Sequence, residues 1–190
     1  MLGAAHSEAI VLHGPTSAGK SSLAKALQAN AAIPSFHISL DAFVTMANRG
    51  DMRSDQEREL AYHLHCENLR STLARVVATH FEIILDLVLR DTAEFDACLQ
   101  ILSPRQIYVV RVWAPLSVLE AREQTREDRG VGMAREQFDH PAYQRTYDFE
   151  VNTSAGTPTQ GAAAIRTFMV ARRLRDRRSG PPTAVADFQR

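Results

Sequence analysis

The sequence has few cysteines and no excess of charge of either sign. Its 190 residues include two cysteines, Cys66 and Cys98, and 22 basic residues balance 22 acidic ones. Two isolated cysteines supply neither a disulfide framework nor a set of metal ligands, so we interpret both as reduced thiols in a reducing compartment. A formal net charge of zero argues against a uniformly basic nucleic-acid-binding protein. We therefore expect no nucleic-acid partner.

Long hydrophobic runs are also missing. The apolar stretches have the length of strands, far below the roughly 20 residues of a membrane helix. Residues 1–8 lack the basic region followed by an apolar segment that is typical of a signal peptide. We expect a cytoplasmic protein without a membrane partner. The length and the 45% hydrophobic content suit one compact domain, predicted over residues 1–178, with a flexible tail over 179–190.

Short apolar runs alternate with helical segments along the chain. We predict strands over residues 9–13, 36–40, 81–85, 106–113 and 147–151. Helices are predicted over residues 20–29, 56–79, 115–129 and 159–177. Strands that alternate with helices pair in parallel through right-handed crossovers. The sequence therefore predicts a single-domain, three-layer α/β/α fold with a five-stranded parallel sheet.

One segment matches the phosphate-binding pattern G-x-x-x-x-G-K-[ST] at every fixed position: Gly14-Pro15-Thr16-Ser17-Ala18-Gly19-Lys20-Ser21. A predicted strand precedes it and a predicted helix follows, so backbone N–H groups and the helix dipole would face bound phosphates. Lys20 is expected to reach the β- and γ-phosphates and Ser21 to bind Mg²⁺. An ordinary glycine turn followed by lysine is the alternative, and this context disfavours it. We predict that residues 14–21 and the adjoining Ser22 bind a nucleotide, with ATP favoured because no GTPase switch or guanine-specific motif is evident.

Two aspartates end predicted strands. Asp41 follows the second strand and Asp86 follows the third, so both should lie at the carboxyl edge of the sheet, beside Lys20. A carboxylate can orient an acceptor hydroxyl and take its proton, and Mg²⁺ needs an acidic partner, directly or through water. We assign Asp41 to the acceptor and Asp86 to the metal or to a supporting role. A surface aspartate or a helix cap remains the alternative for each.

Three arginines, Arg122, Arg126 and Arg129, fall at i, i+4 and i+7 of the predicted helix 115–129. Neighbouring acidic residues would also allow a solvated, salt-bridged surface. We favour a lid over residues 115–135, because this helix follows the fourth strand and guanidinium groups neutralise charge that develops on a transferred phosphoryl group. The glycines at 130 and 132 would form its hinge.

These motifs together resemble the chloramphenicol phosphotransferase family, small P-loop kinases that inactivate an antibiotic by phosphorylating its hydroxyl group. The matching segments lie in order along most of the chain: residues 14–21, Asp41, 83–86, 122–129, 132–134 and 147–153. The resemblance implies an antibiotic-resistance kinase that uses ATP and Mg²⁺. It implies that Asp41 is the general base and that Arg122, Arg126 and Arg129 contact the nucleotide and the transferred phosphate.

Two departures concern the acceptor. The stretch between Asp41 and the third strand is shorter than in the antibiotic enzymes, and Leu87 stands where they have a second aspartate. Both departures affect the acceptor side and leave the nucleotide side intact, so we expect a kinase whose hydroxyl-bearing acceptor is either an antibiotic or another metabolite such as a nucleotide sugar. A nucleotide-dependent switch without phosphotransfer is a further alternative, disfavoured by Asp41. Phe43, Met46 and Met52 either line the acceptor pocket or belong to the core.

Overall fold

The protein is described here by a computed structural model over residues 8–125 and 132–178. The strands are β1 (Glu8–His13), β2 (Ser35–Ser39), β3 (Glu82–Leu87), β4 (Gln106–Trp113) and β5 (Phe149–Asn152). The helices are α1 (Lys20–Ala29), α2 (Leu40–Val44), α3 (Asp55–Val76), α4 (Thr92–Leu102), α5 (Leu116–Gln124), α6 (Met133–Phe138) and α7 (Pro158–Arg178), with 3₁₀ turns at Arg49–Asp51 and Pro141–Tyr143.

The five strands form one parallel sheet in the order β2-β3-β1-β4-β5. This confirms the predicted fold class. The predicted strands agree with the observed ones to within two residues at each end. All six residues of β3 are buried, as expected for a central parallel strand that helices cover on both faces.

The core has two layers, one on each face of the sheet. Ile10 and Leu12 of β1 pack with α1 and α7, whereas Ala9 and Val11 point to the opposite face and pack with α3 and α4. This alternation along one strand follows from the period of two in side-chain direction. The fold is therefore a three-layer sandwich.

The helical predictions need correction: they did not include α2, α4 or α6 as separate helices, and the helix predicted over residues 56–79 ends at Val76. The sequence prediction did not include α4, although Asp91 caps its first turn and Phe95, Cys98 and Leu102 bury one face of it. The predicted helix 115–129 ends at Gln124, where the Thr125 hydroxyl donates a hydrogen bond to the Arg122 carbonyl. A hydroxyl that bonds locally to the backbone in this way competes with continued helix.

The segments described contain no helix that is both long enough and apolar enough to cross a membrane. The predicted tail, residues 179–190, lies outside the described residues.

A buried histidine joins three parts of the fold. His13, the last residue of β1, is fully buried. Its Nε2 lies 2.9 Å from the Leu89 carbonyl oxygen and its Nδ1 lies 2.9 Å from the Tyr147 hydroxyl. Because a carbonyl only accepts, Nε2 carries the proton of the neutral ring and Nδ1 accepts from Tyr147. Burial lowers the pKa of His13 to about 4; the bond to Leu89 opposes this shift, and the charges of Lys20 and Arg145 add to it.

Replacing His13 by Gln should weaken the pH dependence of stability. Between the ordinary pKa of 6.5 and the folded value of about 4, the unfolded chain binds a proton that the folded protein does not. Stability is therefore lost as the pH falls through this window, by about 1.4 kcal/mol per pH unit. Urea unfolding at pH 7.5 and pH 5 should show that the wild type loses about 2 kcal/mol more than His13→Gln.

The exposed His63 offers a matched control, because His63→Gln removes a histidine without removing a buried neutral ring. This variant should keep the wild-type dependence on pH. An equal loss of stability in the wild type and His13→Gln would contradict the buried neutral state of His13.

Candidate functional site

The phosphate loop connects β1 to α1 at the carboxyl edge of the sheet. A Cβ atom at Gly14 would lie 2.0 Å from the Val112 carbonyl oxygen of β4, so this position requires glycine. Ser17 and Gly19 have positive φ values of 59° and 87°. These dihedrals curl the loop into a concave turn, in which backbone N–H groups can face an anion.

Lys20 begins α1 and lies over this loop. Its side chain is largely buried, and Nζ donates a hydrogen bond of 2.8 Å to the Pro15 carbonyl oxygen. A cavity of about 80 Å³ beside it brings together most of the predicted phosphate ligands with the predicted base: Thr16, Ser17, Gly19, Lys20, Ser21, Ser22 and Asp41. The other predicted loop residues, Gly14, Pro15 and Ala18, do not line this cavity, and the Ala18 N–H donates a hydrogen bond of 3.4 Å to the Pro15 carbonyl oxygen.

Asp41 reaches this cavity from the neighbouring strand. It lies in the first turn of α2, two residues beyond the end of β2, and is half-buried. The sequence argument placed it directly at the strand end. The small difference leaves its expected location intact, because α2 starts where β2 reaches the carboxyl edge.

The side chains of Ser21 and Asp86 form a hydrogen-bonded pair of oxygen-bearing groups. The Ser21 hydroxyl donates a hydrogen bond of 2.7 Å to Oδ2 of Asp86, which is buried in β3. Burial raises the pKa of Asp86, but the neighbouring His37, the charge of Lys20 and the Ser21 hydroxyl together more than offset this and lower the pKa below its usual value. An ionised carboxylate beside a serine hydroxyl fits Mg²⁺ that is held together with nucleotide phosphates.

The residues described contain no group of three or more His, Cys, Asp or Glu side chains placed to hold a metal ion. The fit to Mg²⁺ rests on this serine–aspartate pair, since Mg²⁺ is usually held by one or two carboxylates plus phosphates and water. His37 was not predicted to belong to the site. Its Nε2 lies 3.5 Å from Asp86 Oδ2 without hydrogen-bond geometry to it.

A larger cavity of about 760 Å³ adjoins the phosphate loop. Its walls come from α1, α5, β5 and the start of α7, and Ser17, Gly19 and Ser22 line it as well as the smaller cavity. Its volume is within the usual range for sites that hold a small molecule or cofactor. The wall formed by residues 152–161 was not predicted as part of the site; its Asn-Thr pair at 152–153 followed by small residues was the available signal.

Arg122 lies in the wall of this larger cavity and contacts the loop. Its Nη1 donates to Thr153 Oγ1 at 2.8 Å and to the Ser17 carbonyl at 3.3 Å, and its Nη2 donates to the Thr153 carbonyl at 3.0 Å. The guanidinium therefore orients the phosphate loop in addition to facing the cavity. Arg126 and Arg129, and residues 130 and 131 of the predicted hinge, lie outside the described residues. Gly132, the N-cap residue that precedes α6, has a φ of 101°.

Solved structures share this fold at low sequence identity. The APS kinase of Mycobacterium tuberculosis, in complex with AMPPNP and APS, is 13% identical with a TM-score of 0.66, over 87% of this chain and 98% of that chain. The shikimate kinase of Acinetobacter baumannii, in complex with shikimate, is 16% identical with a TM-score of 0.65, over 87% and 94%. The tunicamycin resistance protein of Deinococcus radiodurans is 18% identical with a TM-score of 0.58, over 86% and 95%.

At these identities the likeness establishes the fold, that of single-domain P-loop kinases. A comparison with curated protein sequences gives no significant match. The family model described as chloramphenicol phosphotransferase-like protein matches residues 7–170, which is most of the chain. The chain therefore belongs to the chloramphenicol phosphotransferase-like family.

Proposed function

We propose that the protein is an ATP-dependent O-phosphotransferase that moves the γ-phosphate of ATP to a hydroxyl group of a small molecule. Family membership and the kinase fold support a P-loop kinase in general terms. The observation that carries the finer proposal is the convergence of Lys20, Ser21 and Asp41 around one small cavity, with Asp86 bonded to Ser21.

Each of these side chains has a chemical role in the proposed transfer. MgATP, when bound, supplies the phosphoryl group and a divalent charge beside it. Ser21 and Asp86 would hold the metal, Asp86 directly or through water, and the Lys20 ammonium would stabilise charge on the β- and γ-phosphates. Asp41 accepts the proton of the acceptor hydroxyl as its oxygen bonds to the γ-phosphorus, while the bond from that phosphorus to the bridging oxygen breaks and leaves ADP.

The nucleoside part of ATP would occupy the larger cavity, with Arg122 in its wall. Arg126 and Arg129 would neutralise charge on the transferred group, as the family resemblance implies. All three roles are part of the proposal.

The acceptor is proposed to be an antibiotic such as chloramphenicol or a related secondary metabolite. Another metabolite or a nucleotide sugar is the second candidate, because the residues on the acceptor side of this chain depart from those of the antibiotic enzymes. Leu87 is fully buried among core residues, so it presents no second carboxylate to an acceptor. Phe43 packs against the same core, whereas Met46 is 72% exposed and is free to contact a substrate.

A panel of hydroxyl-bearing antibiotics and metabolites, incubated with the protein, ATP and Mg²⁺, tests the proposal. ADP formation and a phosphorylated product seen by mass spectrometry are the expected results. Tight nucleotide binding without transfer to any member of a broad panel would favour the switch, in which Asp41 has no acceptor.

Lys20→Ala should abolish transfer and leave the fold intact. Losing a cation aimed at the β- and γ-phosphates should lower turnover by at least about 10²-fold, because this stabilisation grows towards the transition state. Lys25→Ala, on the exposed face of the same helix, is the matched control and should be fully active. Wild-type turnover by Lys20→Ala would show that the phosphate-loop assignment is wrong.

Asp41→Asn separates the two roles open to this carboxylate, because it preserves shape and removes basicity. Turnover should fall by roughly 10²–10⁴, the usual contribution of a general base, with little change in nucleotide affinity. A Mg²⁺ titration at saturating ATP distinguishes the base from a metal ligand, since only the second would be partly rescued by excess metal. Asp139→Asn, on an exposed residue, is the control, and an unimpaired Asp41→Asn would remove Asp41 from the mechanism.

Arg126→Ala and Arg129→Ala should lower turnover more than they weaken ATP binding, because lid cations engage fully when charge moves onto the γ-phosphate. Turnover and the ATP dissociation constant are measured for each variant. Arg135→Ala, an exposed arginine paired with Glu120, is the control. Equal losses of turnover and of ATP affinity would indicate that these arginines bind the ground state and the transition state equally well. No loss in either quantity would indicate that they belong to a solvated surface.

A further inference from the structure

A side chain from α6 binds the backbone of the phosphate loop. Oε1 of Gln137 accepts a hydrogen bond of 2.7 Å from the N–H of Thr16, and both residues are buried. The two residues are 121 positions apart in the chain. One loop N–H is therefore oriented by a residue that neither the phosphate-binding pattern nor the arginine spacing identifies.

Gln137 is itself positioned through Glu123. The Glu123 carboxylate is 2% exposed. Its Oε2 accepts from the Gly132 N–H and its Oε1 accepts from the Ala134 N–H, both at 2.8 Å. These amides lie at the N-terminus of α6, in the N-cap residue and the first turn, where a carboxylate is favoured by the unpaired N–H groups and the helix dipole. A helix of six residues has little stability of its own, so this carboxylate fixes where α6, and hence Gln137, lies.

The preceding residue of α5 binds the loop on its other side. Arg122 donates to the Ser17 carbonyl and to Thr153, and the Thr153 hydroxyl donates to the Ala18 carbonyl at 2.8 Å. Arg122 and Glu123 are thus neighbours in sequence with separate tasks. Arg122 donates to the Ser17 carbonyl of the loop, while Glu123 accepts from the amides of the helix whose Gln137 reaches the Thr16 N–H.

We propose that Gln137 is a positioning residue for nucleotide binding, which holds the phosphate loop in its binding conformation, and that Glu123 acts on the loop through Gln137. The proposal rests on nucleotide binding at the loop, the first part of the proposed function. Without Oε1 of Gln137, the buried Thr16 N–H loses this 2.7 Å hydrogen bond, and the loop shifts towards conformations in which the lost bond is replaced. Nucleotide then binds only the competent fraction, and its apparent affinity falls in proportion.

A purely structural role for Gln137 predicts something different. If Gln137 only packs α6 against the sheet, its replacement would lower the free energy of unfolding while folded molecules bound nucleotide normally. The two roles are separated by measuring nucleotide affinity and the Thr16 amide well below the unfolding transition.

The test uses Gln137→Met, which keeps an unbranched side chain of similar length and removes the acceptor. Dissociation constants for ADP and for ATP with Mg²⁺ are measured by calorimetry, and hydrogen exchange is followed at the Thr16 amide. We expect about tenfold weaker binding of ADP and faster exchange at Thr16. Gln100→Met, the same change on an exposed position of α4, should alter neither quantity. Wild-type ADP affinity or unchanged exchange at Thr16 in Gln137→Met would overturn the proposal.

Glu123→Gln provides an independent arm, because it replaces one of the two acceptors for the α6 amides by a donor. We expect a loss of ADP affinity smaller than that of Gln137→Met, faster exchange at Thr16, and no further loss in the double variant, since both changes act through one contact. Additive losses would overturn the claim that Glu123 acts through Gln137. If Gln137→Met does not fold, exchange at Thr16 in Glu123→Gln decides, and unchanged exchange there overturns the proposal.

The wild-type protein separates this inference from the proposed function. Failure of the wild type to bind ADP or ATP would refute the proposed function. Exchange at the Thr16 amide would still report whether Gln137 and Glu123 hold the loop.

Discussion

Parallel pairing of β1 with both β3 and β4 is the constraint on which the rest of the structure depends. Because these strands run in the same direction, their carboxyl ends meet at one edge of the sheet, and β2 joins them by pairing with β3. The phosphate loop leaves β1 there, Asp86 lies near the end of β3 and Asp41 follows β2. The close approach of Gly14 to the Val112 carbonyl depends on the same alignment. Residues that are far apart in sequence come from three adjacent strands and meet at this edge, so the candidate site forms there.

The sequence was sufficient to predict the sheet, because its strands coincide with short runs rich in apolar residues that alternate with helical segments. It was also sufficient to bring Lys20, Ser21, Asp41 and Asp86 to one edge, since their positions follow from where strands end. It was insufficient where structure depends on a tertiary hydrogen bond. Gln137 looks like any polar helical residue, and nothing local indicates that its side chain is buried against Thr16. Helix α4 is different, because Asp91 and the spacing of its buried residues were readable signals that the prediction did not use.

The pKa values of two buried groups close to the loop, His13 and Asp86, are shifted by their neighbours. His13 directly precedes the loop, and burial of its ring together with the nearby cation of Lys20 lowers its pKa and favours the neutral form, although the bond to Leu89 opposes this shift. Asp86 behaves in the opposite way, since the same cation, with His37 and Ser21, favours its charged form despite burial. One ammonium thus helps to keep a histidine uncharged and an aspartate ionised. This distribution of charge supports the proposed binding of phosphates and a metal ion at the site.

The two sides of the proposed reaction differ in how firmly they are built. On the nucleotide side, the loop carbonyls of Ser17 and Ala18 and the N–H of Thr16 are all bonded to side chains from α5, α6 and the segment after β5. On the acceptor side, α2 is short, Leu87 is buried in the core and Met46 is mostly exposed. Changes in exposed residues cost little stability, whereas changes in a buried hydrogen-bonded network cost much more. Substitutions on the acceptor side can therefore change which substrate is bound while phosphate binding is retained. For this reason the residues of this chain support the proposed kinase chemistry more directly than they support any particular acceptor.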